Sequence, residues 1–419
     1  MKNLRSFLPL LAVLCLLTAC RHDNMEYVDF ASLPDHGLCF TPYREQNCNP
    51  PELAQAVSAR RDASSIDGTA MLRGLTETLT ARTVRQVSGT YRSVDSWGNP
   101  VTLSGAVYYP ADSDIKGIIV SCHYTVGSDH EVPSRTCFMD AWWATKGYAV
   151  VMPDYMGYGA SVDSVHPYMH GELTARHVTD MILAVRPFFA SRNLPVRSSG
   201  IMLAGYSQGA HAALHTLRLI EDHEQFPEYA DARITVSKCC LGGGPYYMSY
   251  FFKRCVENNF IGISCGVPLL VLGMNVGRSG DSGKNRKFDP AWFFSPRLLA
   301  NYEDWFLSKR YTVDQMNNLI GTGRLDSILT PEACNLSAPE TGRFRKLLLE
   351  HDVPDTYVPE APLWIFHSLD DNVVPFYNAQ RLTGRLSGTT ADVTCDFDHY
   401  GVHGMAFARY LLKIYQDLP

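Results

Sequence analysis

Gly205-Tyr206-Ser207-Gln208-Gly209 places a serine between two glycines, a spacing that suits a tight strand-to-helix turn with the hydroxyl projecting from it. The apolar run Ile201–Ala204 precedes it, and Ala210, Ala213, Leu214, Leu217 and Ile220 recur behind it at helical intervals. A serine hydroxyl is a poor nucleophile at neutral pH. It needs an imidazole to take its proton and a carboxylate to orient that imidazole. Both residue types lie downstream, in the order Ser, Asp, His. Asp370 and Asp371 follow the apolar run Leu363–Phe366, and a carboxylate just past a buried parallel strand shares the rim on which Ser207 sits. Asp371 is preferred because it stands four residues before Pro375, while Asp370 reads as a solvated turn residue. For the base, His399 and His403 compete. His403 is preferred because it immediately precedes a helical run to Tyr415.

The negative charge that builds on a carbonyl oxygen under serine attack requires hydrogen-bond donors aimed at it. One is the backbone N–H of Gln208, at the start of the helix. The second is expected in His123-Tyr124-Thr125-Val126-Gly127, from Tyr124 or Thr125. Other chemistry-bearing groups point nowhere. His211 and His215 are four apart on the same helix, yet no third ligand or His-Glu-x-x-His pattern accompanies them, and His166 with His170 fares no better. No catalytic metal and no cofactor is expected. Gly277–Lys284 looks friendly to phosphate but lacks the Walker spacing, with Asn285 where Ser or Thr would hold magnesium.

These residues must be carried by a frame, and its elements are readable. Val84–Tyr109 reads as a β-hairpin around Asp95–Pro100. Ile118–Val120, Ala149–Met152, Ile201–Ala204 and Leu363–Phe366 read as buried parallel strands. Between them, Met139–Lys146 closes at Gly147, and Leu173–Val185 puts Val178, Met181, Ile182 and Val185 on one face. Such alternation predicts an α/β fold, a mostly parallel sheet with helices on both faces. After strand-like Ile234-Thr235-Val236, residues 245–360 break the alternation and are too many for a loop. Rich in aromatics, they read as an inserted, mainly helical cap between a first core part, 83–244, and a second, 361–419. Residues 21–82 read as a tether followed by helical packing over Glu52–Thr80.

Composition narrows the class. Of 419 residues, 46% are apolar and 19% charged, which excludes a disordered tail or a heptad rod. A net charge of −6 argues against electrostatic capture of nucleic acid. Lys2 and Arg5 precede an uncharged stretch to Ala19, the form of an export signal and too short for a membrane helix. Leu17-Thr18-Ala19-Cys20 also resembles the bacterial lipoprotein box. That resemblance implies a signal over residues 1–20 that is cut ahead of a lipidated Cys20, which becomes the first mature residue and anchors an exported chain to a membrane of the cell envelope. Twelve cysteines in an exported chain raise the question of disulfides, with Cys39–Cys48, Cys122–Cys137 and Cys255–Cys265 as close-spaced candidates.

From about Thr83 to the C-terminus the chain resembles the α/β-hydrolase superfamily and, within it, the secretory lipases of the fungal lipase A type. The resemblance rests on Gly205–Gly209, on Pro153-Asp154-Tyr155-Met156-Gly157-Tyr158-Gly159-Ala160-Ser161, and on His166-Pro167-Tyr168. The Asp371 segment and His403 before the last helix complete it. It implies hydrolysis of carboxylic esters through an acyl-enzyme, with Ser207, His403 and Asp371 as nucleophile, base and orienting carboxylate. Where many members of the superfamily show His-Gly, this chain has His123-Tyr124, which leaves the second oxyanion donor open. A serine peptidase of the same fold is the nearest rival, and a non-catalytic surface-binding lipoprotein the more distant one.

Overall fold

Val84–Val94 (β2) and Pro100–Pro110 (β3) pair antiparallel in unbroken register from Val84↔Pro110 to Val94↔Pro100. The turn between them is held by Asp95, whose Oδ1 accepts from the amides of Trp97 and Asn99. Strand periodicity then does the sorting: Val87, Tyr91, Leu103 and Val107 enter one apolar cluster, and Val84, Ala106 and Tyr108 enter another. A sheet buried on both faces results. The computed structural model describes residues 27–48, 83–198, 200–276 and 288–419; the Cys20 segment, the Glu52–Thr80 run and the Gly277–Lys284 loop lie outside them.

The sheet has nine strands in the order β1-β2-β3-β5-β4-β6-β7-β8-β9. β4 (Ile118–Cys122), β5 (Ala149–Pro153), β6 (Gly200–Tyr206), β7 (Thr235–Gly242), β8 (Leu363–Ser368) and β9 (Val393–Asp398) run parallel. Helices α1 (Gly171–Ser191) and α2 (Gln208–Glu221) cover one face. A 3-10 segment, Met139–Lys146, and the C-terminal helix, His403–Asp417, cover the other. The expected face of α1 and that of α2 both lie in the first cluster. This is the fold that the alternation predicted.

Two strands were not expected. Thr41–Cys48 (β1) pairs antiparallel with β2, so part of the stretch read as tether and helix is an edge strand instead. Its residues are mostly exposed and polar, with no apolar alternation to announce it. β9 is similarly half-exposed. The described cysteines are all thiols, so none of the three close-spaced pairs is bridged. Cys48 lies with its Sγ 3.3 Å from Gln86 Oε1. Burial pushes the Cys122 thiol up to about 12, the mark of an inert core cysteine.

Between β7 and β8 the regular elements among the described residues are helices, apart from one isolated bridge, Phe294↔Leu329. They include α3 (Met248–Asn258) and α4 (Gly266–Met274), and they gather a separate apolar cluster around Phe252, Phe293 and Phe344. Those aromatics pack edge to face on one another, at 5.0–5.2 Å between centroids for Phe344 with Phe293 and Phe252. Most of the cap's aromatics thus form its own core.

Candidate active site

Ser207 closes β6 and opens α2 with φ 56° and ψ −121°. A non-glycine residue held there costs roughly 1–3 kcal/mol, which the packing around it must impose. The flanking glycines make it possible. A Cβ on Gly205 would fall 2.1 Å from the Gly209 carbonyl oxygen, and one on Gly209 would fall 1.8 Å from that of Cys122. Ser207 N donates to Gly242 O at 2.8 Å, tying the turn to the end of β7. The hydroxyl sits at the N-terminus of a fourteen-residue helix, whose first amides have no acceptor inside the helix.

The C-terminal helix brings the imidazole. Tyr410, two turns along it, accepts from Gly205 N at 2.8 Å and donates to Cys240 O at 2.9 Å. At the helix start, Tyr206 donates its hydroxyl to His403 O at 2.8 Å, and its ring lies 4.9 Å from the His403 ring. The residues beside the serine therefore hold the helix that carries the histidine.

His403 Nδ1 lies 2.6 Å from Asp371 Oδ2. The other oxygen of Asp371 accepts from Val373 N at 2.9 Å and Val374 N at 2.8 Å. Burial alone would raise the Asp371 carboxyl, but His403, His367 and these amides outweigh it and hold it below the usual range. His367, fully buried, stands 3.7 Å from the same carboxylate and donates through Nε2 to Val374 O at 2.8 Å. Asn372 accepts from His403 N through its side chain at 3.3 Å. His367 and Asn372 were not foreseen, because neither type in a turn signals a supporting role.

The rejected candidates pair with each other. His399 Nδ1 lies 2.8 Å from Asp370, on the surface. Of the oxyanion candidates, Gln208 follows the serine as expected, and Thr125 lines the same cleft as Ser207. The Tyr124 ring packs between Phe138 and Phe407, at 5.3 and 4.9 Å. His211 and His215 both direct Nε2 at His351 O, at 2.9 and 3.1 Å, and burial pushes the former down to about 4. They dock the end of the cap segment onto α2.

A cleft opens beside Ser207. Its walls are mostly apolar: Met248, Phe251, Val267 and Leu270 from the cap, and Val373 and Val374 from the aspartate loop. Such an arrangement can hold an apolar group beside a nucleophile, with an imidazole and a buried carboxylate on the same rim.

Residues 138–267 match the model of the secretory lipase family. No curated protein matched the chain. Among solved structures, the rice cell wall degrading esterase LipA from Xanthomonas oryzae is similar with a TM-score of 0.67 at 21% identity, over 90% of this chain and 96% of that one. A hydrolase from Legionella pneumophila, described as putative, is similar with a TM-score of 0.70 at 19% identity, over 90% and 97%. Candida antarctica lipase A is more distant, with a TM-score of 0.58 at 15% identity, over 87% and 77%. The architecture is the α/β-hydrolase fold, and over residues 138–267 the resemblance to secretory lipases is borne out. No helix among the described residues is long and apolar enough to cross a membrane.

Proposed function

We propose that this protein is a carboxylic ester hydrolase working through an acyl-enzyme, with Ser207 as nucleophile. The observation that carries the reading is the pair of buried Asp371 with His403 held, through Tyr206 and Tyr410, to the strained turn that presents Ser207. Ser207 Oγ attacks the ester carbonyl while His403 Nε2 takes its proton. Asp371 keeps the other ring nitrogen protonated and stabilises the imidazolium. The amide of Gln208, with Thr125, faces the tetrahedral oxyanion. Collapse breaks the bond to the alkoxy oxygen, which leaves with the proton from His403. Water, deprotonated by the same imidazole, then attacks the acyl-enzyme and releases the acid. The apolar walls of the cleft favour an apolar acyl or alcohol part.

The secretory family match over 138–267 supports an exported protein. The Leu17–Cys20 box adds a lipid anchor on Cys20 and a place in the cell envelope. Ser207→Ala is the test: hydrolysis of p-nitrophenyl butyrate and labelling by a fluorophosphonate should both disappear. Survival of either in folded protein overturns the mechanism.

A further inference from the structure

Two of the residues assigned above to the oxyanion are braced from one place. His166 Nδ1 lies 2.8 Å from Met156 O, which can only accept, so that nitrogen carries the proton. Nε2 of the neutral ring is then an acceptor, and Gln208 Nε2 donates to it at 2.8 Å. Gln208 is buried, and its Oε1 has no partner among the described residues. Among the described residues, the bond to His166 is therefore the single polar hold on that side chain. Two residues on, the Tyr168 hydroxyl lies 3.0 Å from Thr125 Oγ1, and both residues line the cleft beside Ser207.

The short segment that carries these two side chains is itself fixed from both sides. At Gly157 a Cβ would fall 2.5 Å from His166 N, so the Tyr155–Gly159 loop closes directly on the segment. On the cap side, a Cβ at Gly273 of α4 would fall 2.5 Å from Tyr168 N. Within the segment, Tyr168 N donates to His166 O at 2.8 Å and Met169 adopts φ 62°.

We propose that His166–Tyr168 is a positioning strut for the oxyanion site, with His166 fixing Gln208 and Tyr168 fixing Thr125. The proposal rests on the ester-hydrolase reading above and deepens it. Neither side chain reacts. His166 anchors the side chain of the residue whose backbone N–H is the donor, and Tyr168 anchors the Thr125 hydroxyl, so the effect of each belongs to the transition state and not to ground-state binding. The strut also couples the cap to the chemistry, since α4 abuts Tyr168. A group that merely filled space would affect folding and leave that partition untouched.

His166→Leu, Tyr168→Phe and His166→Gln separate these cases, with p-nitrophenyl butyrate as substrate and an alkyl trifluoromethyl ketone as mimic of the tetrahedral intermediate. Removing a whole oxyanion donor costs about 10²–10³ in kcat, so loosening one should cost about 10- to 100-fold in His166→Leu and about 3- to 10-fold in Tyr168→Phe. KM should stay within about twofold, and affinity for the ketone should fall in parallel with kcat. His166→Gln, which restores an acceptor for the Gln208 amide, should recover much of the loss. Tyr168→Phe removes one oxygen and keeps the ring, so it remains informative if His166→Leu does not fold. Unchanged kcat in Tyr168→Phe, together with unchanged kcat or an equal loss from His166→Gln and His166→Leu, would overturn the strut. A wild-type protein that Ser207→Ala does not inactivate would instead overturn the ester-hydrolase reading.

Discussion

Two aspartate–histidine pairs start from adjacent residues of one loop and end in opposite surroundings. Asp371 meets His403 at 2.6 Å with side-chain exposures of 0% and 15%, whereas Asp370 meets His399 at 2.8 Å with 43% and 70%. Distance barely separates them. What separates them is water, and the partners that replace it. Asp371 has exchanged solvent for the amides of Val373 and Val374 and the neighbouring His367, so its carboxylate is fixed in one orientation. The Asp370–His399 contact is washed by solvent, where an ion pair is worth little and salt screens it. An imidazole can be held in one tautomer by the first arrangement and not by the second.

The largest expected effect is on turnover. Asp371→Asn should lower kcat by about 10³–10⁴, the scale seen when a buried orienting carboxylate is neutralised, while Asp370→Asn should stay within about twofold. Steady-state hydrolysis of one soluble ester by both variants decides it. Equal losses would erase the distinction between the pairs.

A smaller effect separates the pairs by pH, and the signs are opposite. Asp371 lies below its ordinary value when folded. Its stabilising contribution is therefore complete above the unfolded value of about 3.9 and drains away as pH falls through the lower folded one. His399 is raised by its hydrogen bond to Asp370. Any contribution it makes is present below about 6.5 and is lost as pH rises through its raised value. Thermal unfolding of wild type against Asp371→Asn should show a gap at neutral pH that narrows only below about pH 4. A gap that closes on the alkaline side would contradict the assignment.

The smallest effect is spectroscopic. In Asp370→Asn the His399 ring should titrate nearer the ordinary value of about 6.5, followed by NMR, with no measurable change in melting temperature. Were its titration unmoved, the surface contact would be absent in solution.

How far these pairs were legible beforehand follows from what each residue must satisfy. Ser207 was plain, because a serine between glycines after an apolar strand is constrained by the turn itself. Asp371 could be told from Asp370 by its distance to Pro375, and His403 from His399 by the helix behind it. His166 was passed over as a metal candidate without a third ligand. Its partner lies 42 residues away, and no local pattern encodes a contact made across a fold. Tyr124 and Thr125 looked equivalent in the sequence and diverged through packing, one ring going into the apolar layer beneath the C-terminal helix. The sheet's interior strands were visible as apolar runs. Thr41–Cys48 and Val393–Asp398 were not, since strands at a rim bury too little to need such residues.

That polar character of the outermost strands has a consequence for life at high local concentration. A concentrated protein meets its neighbours constantly, and an open strand rim is a template on which another chain can add. Here, among the described residues, one rim carries Arg44, Glu45 and Gln46, with Glu45 shared between Arg85 and Arg192; the other carries Asp396 and Asp398. A chain approaching either rim would have to strip water from those charges before its backbone could pair. Crowding can then raise encounter rates without converting encounters into aggregates.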